Sequence, residues 1–116
     1  MVRHRMSEYH LLTIEDVVQV SDKLLITPDF PIFDDFDVSR ALDAVIRSKA
    51  GYAIPCRVEL QVAHFNIPES DDPTRRWRVV PNVLGVTTEQ ISSGDELYIF
   101  DEKLAEDLKQ AKQKED

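Results

Sequence analysis

The residues best suited to bind a ligand form one basic and aromatic run, Arg75-Arg76-Trp77-Arg78. Guanidinium groups pair with phosphates and carboxylates, and an indole ring stacks on bases or cations. As a functional surface, this run would stack a base or clamp a phosphate or an acidic peptide. A neighbouring predicted strand would extend the same surface with a histidine and an asparagine. The candidate binding residues are therefore His64, Asn66, Arg75, Arg76, Trp77 and Arg78.

The same run also has a structural interpretation. Trp77 would be the main apolar anchor of its strand, and its indole ring would supply much of the local core. The arginines would then pair with Asp71, Asp72 or the acidic loop at residues 29–37. The sequence favours this structural role, but the run is still the first candidate if any surface binds a partner.

Histidines and carboxylates in this chain do not form a metal-binding pattern. His4 lies close to the N-terminus, and no Cys or His lies within ligand spacing of His64. The loop before residue 38 holds several aspartates but lacks the glycine and the final glutamate of an EF-hand. We therefore expect no metal and no cofactor, and a solvated acidic loop containing Asp29, Asp34, Asp35 and Asp37.

Cys56 is the single cysteine, so no internal disulfide can form. One interpretation is that the neighbouring Arg57 lowers the pKa of this thiol and makes it reactive. No histidine in the sequence is an obvious base for it, however, and a half-buried, inert thiol is the favoured interpretation. With no assembled set of reactive groups, we expect no catalytic residues and no enzymatic activity.

Composition limits the choice of partners. The chain of 116 residues is 42% hydrophobic, which is enough for one domain with its own core. Its formal net charge of −8 repels phosphate backbones, so nucleic acid is disfavoured except through the local Arg/Trp run. No stretch approaches the roughly 20 apolar residues of a membrane helix. We expect a cytoplasmic protein, monomeric or weakly dimeric, whose partner is another protein rather than a membrane.

Alternation of apolar and polar residues predicts about six short strands. Glu15-Asp16 interrupts the first as a bulge or a bend, and a phase slip predicts a β-bulge at Ala63-His64. Pro81-Asn82 is expected to break or bend the fifth strand. Gly94 supplies the positive φ of a tight turn before the last strand. The predicted strands lie near residues 9–20, 23–27, 43–48, 57–62, 77–84 and 97–99.

Two segments have helical character. Residues 37–48 fit either a helix or a strand, and we expect a short helical turn near 37–42 followed by a strand near 43–48. After Asp101, a potential N-cap, Leu104 and Leu108 share one face with Ala111, which predicts a C-terminal helix or frayed tail. The expected organisation is a flexible N-terminus (1–8), a β-barrel domain (9–100) and a charged tail (101–116).

The predicted architecture is all-β, a small closed or nearly closed antiparallel barrel. In its order of elements the chain resembles the second domain of translation elongation factor Tu and its relatives, the translation-factor β-barrel. The resemblance spans about residues 11–99. Its matching segments are 14–20 with 24–27, then 43–46, and finally 83–86 with Ile91, Gly94, Asp95 and Leu97.

In translation factors this barrel packs on a GTP-binding domain and helps to hold aminoacyl-tRNA. This chain has three glycines and none lies in a phosphate-binding Gly-x-x-x-x-Gly-Lys-Ser/Thr loop, which excludes GTP hydrolysis by the chain alone. The resemblance implies a fold and a habit of binding macromolecules, and it transfers no site. We therefore expect a non-catalytic module for protein–protein interaction; the alternative is an accessory protein associated with RNA, tRNA or the ribosome.

Overall fold

The computed structural model describes residues 7–31, 40–64 and 77–113. Its strands and helix, numbered along the chain, are β1 (Tyr9–Thr13), β2 (Asp16–Val20), β3 (Lys23–Thr27), β4 (Phe30–Pro31), β5 (Arg40–Arg47), β6 (Ala53–His64), β7 (Trp77–Leu84), β8 (Glu96–Ile99) and α1 (Glu102–Gln113). Among these described residues no helix is long and apolar enough to cross a membrane.

All eight strands belong to one antiparallel sheet, in the order β1-β8-β5-β6-β7-β3-β2, with β4 beside β7. The all-β prediction is confirmed for the described residues, including the helix at the C-terminal end. The sheet of the described residues curves into a barrel-like form but is not closed, since β1 and β2 end it on opposite sides.

A corner at Ile14 and Glu15 brings the two ends of the sheet together. Ile14 exchanges backbone hydrogen bonds with the turn before β8, donating to Asp95 O and accepting from Gly94 N, both at 2.8 Å. Glu15 N donates to Thr27 O at the end of β3, also at 2.8 Å. The interruption predicted at Glu15-Asp16 is therefore a bend that divides the first predicted strand into β1 and β2.

The core lies on the concave face of the sheet. Alternate residues of each long strand point inward, as a side-chain period of two requires, and each buried aliphatic side chain contributes about 2 kcal/mol. The most completely buried side chains include Ile14, Ile26, Ile46, Val58, Leu60, Val79, Val83, Leu97, Ile99 and Leu108.

Two local predictions need correction. The helical turn expected near 37–42 is wrong at residues 40–42, which belong to β5, because Ala41 and Leu42 pair with β6; residues 37–39 lie outside the described part of the chain. The bulge expected at Ala63-His64 is wrong for the pairing with β7, whose register is continuous as far as His64.

A bulge does occur in β1, where the register with β8 shifts between His10 and Leu12. Leu11 and Leu12 are consecutive and both buried, and an extra residue in the strand lets both side chains reach the core.

β7 passes through Pro81 without a break. One edge of β7 pairs with β3 through Asn82 and Val83, and with β4 through Arg78 and Val79. Pro81 lies between these two pairings, where that edge needs no backbone donor, so proline is tolerated inside the strand.

Helix α1 covers the end of the sheet near β1 and β4. Asp101 caps it, its Oδ1 accepting a hydrogen bond from Leu104 N at 3.0 Å. Leu104, Ala105 and Leu108 are buried, and Leu108 is fully so. The tail predicted from Asp101 onward is therefore a helix as far as Gln113, and its apolar stripe is part of the core.

Candidate protein-binding edge

The predicted site residues fall at the far end of the β6–β7 ladder. The backbones of His64 and Trp77 are direct partners there, which agrees with the expectation that they lie on neighbouring strands. Asn66, Arg75 and Arg76 lie outside the described residues. Of the six candidates, the structure therefore places three, and it gives a side-chain environment for Arg78.

The guanidinium group of Arg78 is held by Asp29. Its Nε donates to Asp29 Oδ2 at 2.9 Å and its Nη2 to Asp29 Oδ1 at 3.3 Å, and the residue is 7% exposed. The backbone oxygen of Asp29 also accepts a hydrogen bond from Lys112 Nζ of α1 at 3.1 Å. A two-pronged, part-buried contact of this kind fixes the orientation of the guanidinium group, and it is the ion pair that the structural interpretation of the arginine run predicts.

The other reactive groups are separate from one another. Among the described residues, no three His, Cys, Asp or Glu side chains are placed to hold a metal ion. Cys56 is half-buried, and burial raises the pKa of its thiol to about 11. The lowering by Arg57 considered from sequence does not occur, so the thiol is protonated and unreactive near neutral pH.

A paired polar cluster occupies the outer face of β1, β5 and β8. Arg47 binds Glu8 through two hydrogen bonds of 2.9 and 2.6 Å and lies over the ring of Tyr98, 5.9 Å from its centroid. His10 packs edge-on against Tyr98, and its Nε2 lies 3.4 Å from Glu96 Oε1. Burial, followed by the charge of Lys109, lowers the pKa of His10, and Glu96 opposes this shift. The charged groups of this cluster are therefore paired with one another, Arg47 with Glu8 and His10 with Glu96.

β2 differs from the other strands because almost all of it is exposed. It ends the sheet, and its one strand partner among the described residues is β3. Val17 is partly buried against the core, whereas Val18 is 48% and Val20 is 52% exposed. Large apolar side chains that are this exposed, on consecutive outward positions of an edge strand, form a surface of the kind that other chains bind.

The register explains why these valines face solvent. Val18 lies opposite Leu25 and Val20 opposite Lys23, both on the outer side of β3, while Leu24 and Ile26 point into the core.

The turn between the two strands contains Ser21 with a φ of 59°, a left-handed conformation that is uncommon for a non-glycine residue.

Backbone donors also face the free side of β2. The amide of Val17 donates to its neighbouring side chain, Asp16 Oδ1, at 2.8 Å. Donors alternate in direction along an antiparallel strand, so the amide of Gln19 faces the same side as that of Val17. We call the backbone of β2, together with Val18 and Val20, the β2 edge.

Natural edge strands are usually guarded by lysine, proline or a bulge. The β2 edge contains no lysine and no proline, its one charged residue is Asp16, and its five-residue register with β3 has no shift. Sequence reasoning found the strand but missed its exposure. Valines on both faces of a strand fit a buried strand as well as an edge, so the sequence carried no signal that distinguished them.

Comparison of the chain with protein-family models, with curated proteins and with solved structures finds no match. The site is therefore interpreted from its own geometry.

Proposed function

We propose that this protein is a non-catalytic binding module whose partner is another protein, bound at the β2 edge. The observation that carries the proposal is the exposure of Val18 and Val20 on a strand that ends the sheet formed by the described residues. An edge strand with free backbone donors binds extended segments through main-chain hydrogen bonds, and neighbouring side chains provide the selectivity. A cytoplasmic location and the resemblance to the translation-factor barrel are part of the same proposal.

Binding of RNA, tRNA or the ribosome through the arginine run is the alternative. Arg78 gives it little support, because its guanidinium group is buried and must leave the carboxylate of Asp29 before it can bind a phosphate. The net charge of −8 also opposes a general nucleic-acid surface.

Co-purification from the native host tests the proposal with two matched variants. Val18→Lys places a charge on the β2 edge, and Ala41→Lys places the same charge on an exposed position of the central strand β5. We expect the unmodified protein and Ala41→Lys to retain the same protein partner after nuclease treatment, and Val18→Lys to lose it.

Two results would overturn this function. Retention that is unchanged in Val18→Lys would move the binding site away from β2. Material that is released by nuclease and by moderate salt would favour the RNA alternative. Circular-dichroism melting curves of the two lysine variants establish that both are folded before their binding is compared.

A further inference from the structure

We propose that the partner segment at the β2 edge is an extended peptide with alternating apolar residues and with Lys or Arg at both ends. This inference rests on the proposed function and specifies its partner. The peptide would add to the sheet as a strand next to β2, on the side opposite β3.

The hydrogen bonds at this edge point to strand addition. Val17 N is bound to Asp16 Oδ1 from within its own strand, so the carboxylate occupies the position that a partner's carbonyl oxygen would take. An incoming backbone oxygen replaces this contact without leaving the donor unpaired. The amide of Gln19 offers a second donor two residues further along, which is the spacing at which an extended backbone presents its acceptors.

The side chains define the apolar centre of the partner. Val18 and Val20 lie on the same face, and each would become the cross-strand neighbour of a residue in the added strand. Branched or aromatic residues at alternate positions of the peptide would cover them. Polar residues between these positions would match Gln19, which is exposed on the other face.

The acidic side chains around β2 define the two ends of the partner peptide. Glu15, Asp16 and Asp22 are all exposed and lie on both sides of the valines. Lys23, which pairs with Val20 across the hairpin, is engaged by Glu59 at 3.0 Å. Basic residues at the ends of a peptide would therefore meet carboxylates at both ends of the strand. A second copy of this chain is a poor occupant, because each copy carries a net charge of −8 and the two would repel each other.

Three synthetic peptides of equal length test the inference. The first is Lys-Lys-Val-Thr-Val-Thr-Val-Lys-Lys, the second replaces its lysines by glutamates, and the third replaces its central valine by proline. Binding is followed by the amide shifts of Val17 and Gln19 and by titration at low and high salt. We expect the basic peptide to bind, the acidic one to bind at least about tenfold more weakly at low salt, and added salt to narrow that difference.

The proline peptide keeps the charge but removes a backbone donor and disrupts the strand, so its binding should be lost. Val18→Lys should abolish binding of the basic peptide, and Ala41→Lys should leave it unchanged. If the acidic peptide binds as tightly as the basic one, the inference that the partner has basic ends is wrong. If the proline peptide binds as tightly as the basic one, the partner does not add to the sheet as a strand.

The failure of this inference can be distinguished from the failure of the proposed function. If no peptide binds but Val18→Lys still loses the cellular partner, the edge is a binding site for a partner of other chemistry and the inference falls alone. If sedimentation shows a dimer that Val18→Lys dissociates, a second copy is the occupant and the inference is overturned. If Val18→Lys changes neither assay, both proposals fail.

Discussion

Asp95 shows how a single carboxylate positions two turns that are far apart in the sequence. It is 2% exposed, and its Oδ2 accepts a hydrogen bond from Ser92 N at 2.9 Å. Its Oδ1 accepts one from Lys49 N at 3.1 Å, in the turn between β5 and β6. Gly94 has a φ of +95°, which lets the chain reverse beneath the side chain of Lys49. A Cβ added at Gly94 would lie 2.8 Å from Cδ of that lysine.

Replacing Asp95 by alanine should therefore destabilise the fold strongly. Two backbone amides lose a charged acceptor that is itself buried, and we expect a decrease of about 3 kcal/mol in the free energy of unfolding. Asp43→Ala, at an exposed position, is the matched control and should change stability by less than about 0.5 kcal/mol. Urea unfolding of both variants measures the difference; equal values would mean that Asp95 is not the link between the turns.

His10 makes stability depend on pH. Burial and then Lys109 lower its folded pKa below the ordinary value of 6.5, while Glu96 acts in the opposite direction. As the pH falls, the unfolded chain takes up the proton first. The contribution of His10 is therefore fully present above pH 6.5 and is lost as the pH falls from 6.5 through the folded pKa.

We expect the protein to lose more stability than His10→Gln when the pH is lowered from about 7.5 to about 5. Comparing the two proteins removes the contribution of carboxylates that titrate in both. The measurement is the unfolding free energy at each pH. Parallel curves for the two proteins, or a steeper loss in the variant, would show that the folded pKa of His10 is not lowered.

At the scale of elements, α1 is held by contacts that a frayed tail would not make. Leu108 is fully buried and Leu104 is 7% exposed. Leu108→Ala should therefore cost about 3 kcal/mol, since it leaves a cavity between the helix and the sheet. Glu106→Ala, on the exposed side of the same helix, should have almost no effect. The measurement is the melting temperature of each variant. Equal melting temperatures would mean that α1 is a loosely attached tail and not part of the core.

Sequence periodicity predicted most strands because a period of two is a local property. It could not predict that β5 begins at Arg40, since the apolar spacing near that residue fits a helix equally well and only pairing with β6 decides the conformation. Pro81 is tolerated because it lies between the part of β7 that pairs with β3 and the part that pairs with β4, and local sequence does not encode these pairings.

The candidate site was less predictable than the strands. The composition of the arginine run suggests a binding surface, yet Arg78 is engaged by Asp29, which lies 49 residues earlier in the chain. The β2 edge was missed because a strand becomes an edge only through the order of the whole sheet. Strand patterns predict which face is apolar, but they do not predict which strand lacks a second partner among the described residues.

At the scale of the whole molecule, the sheet order makes local stability uneven. β6 pairs with β5 on one side and β7 on the other, whereas β2 has one neighbour, β3, within the described part of the chain. Amide hydrogens in doubly paired strands exchange only through large openings, and those facing a free edge exchange from the native state. β6 should therefore hold the slowest-exchanging amides among the described strands, and the β2 edge should contribute some of the fastest.

The sharpest comparison lies within β2 itself. Val17 and Gln19 direct their amides to the free side, and Val18, by alternation, directs its amide to β3. Hydrogen exchange followed by NMR should show Val17 and Gln19 exchanging more than roughly a hundredfold faster than Val18. Similar rates at all three residues would mean that another segment already pairs with this strand. A bound peptide should slow Val17 and Gln19 selectively, because strand addition gives the amide of Gln19 a backbone acceptor and replaces the Asp16 carboxylate at the amide of Val17.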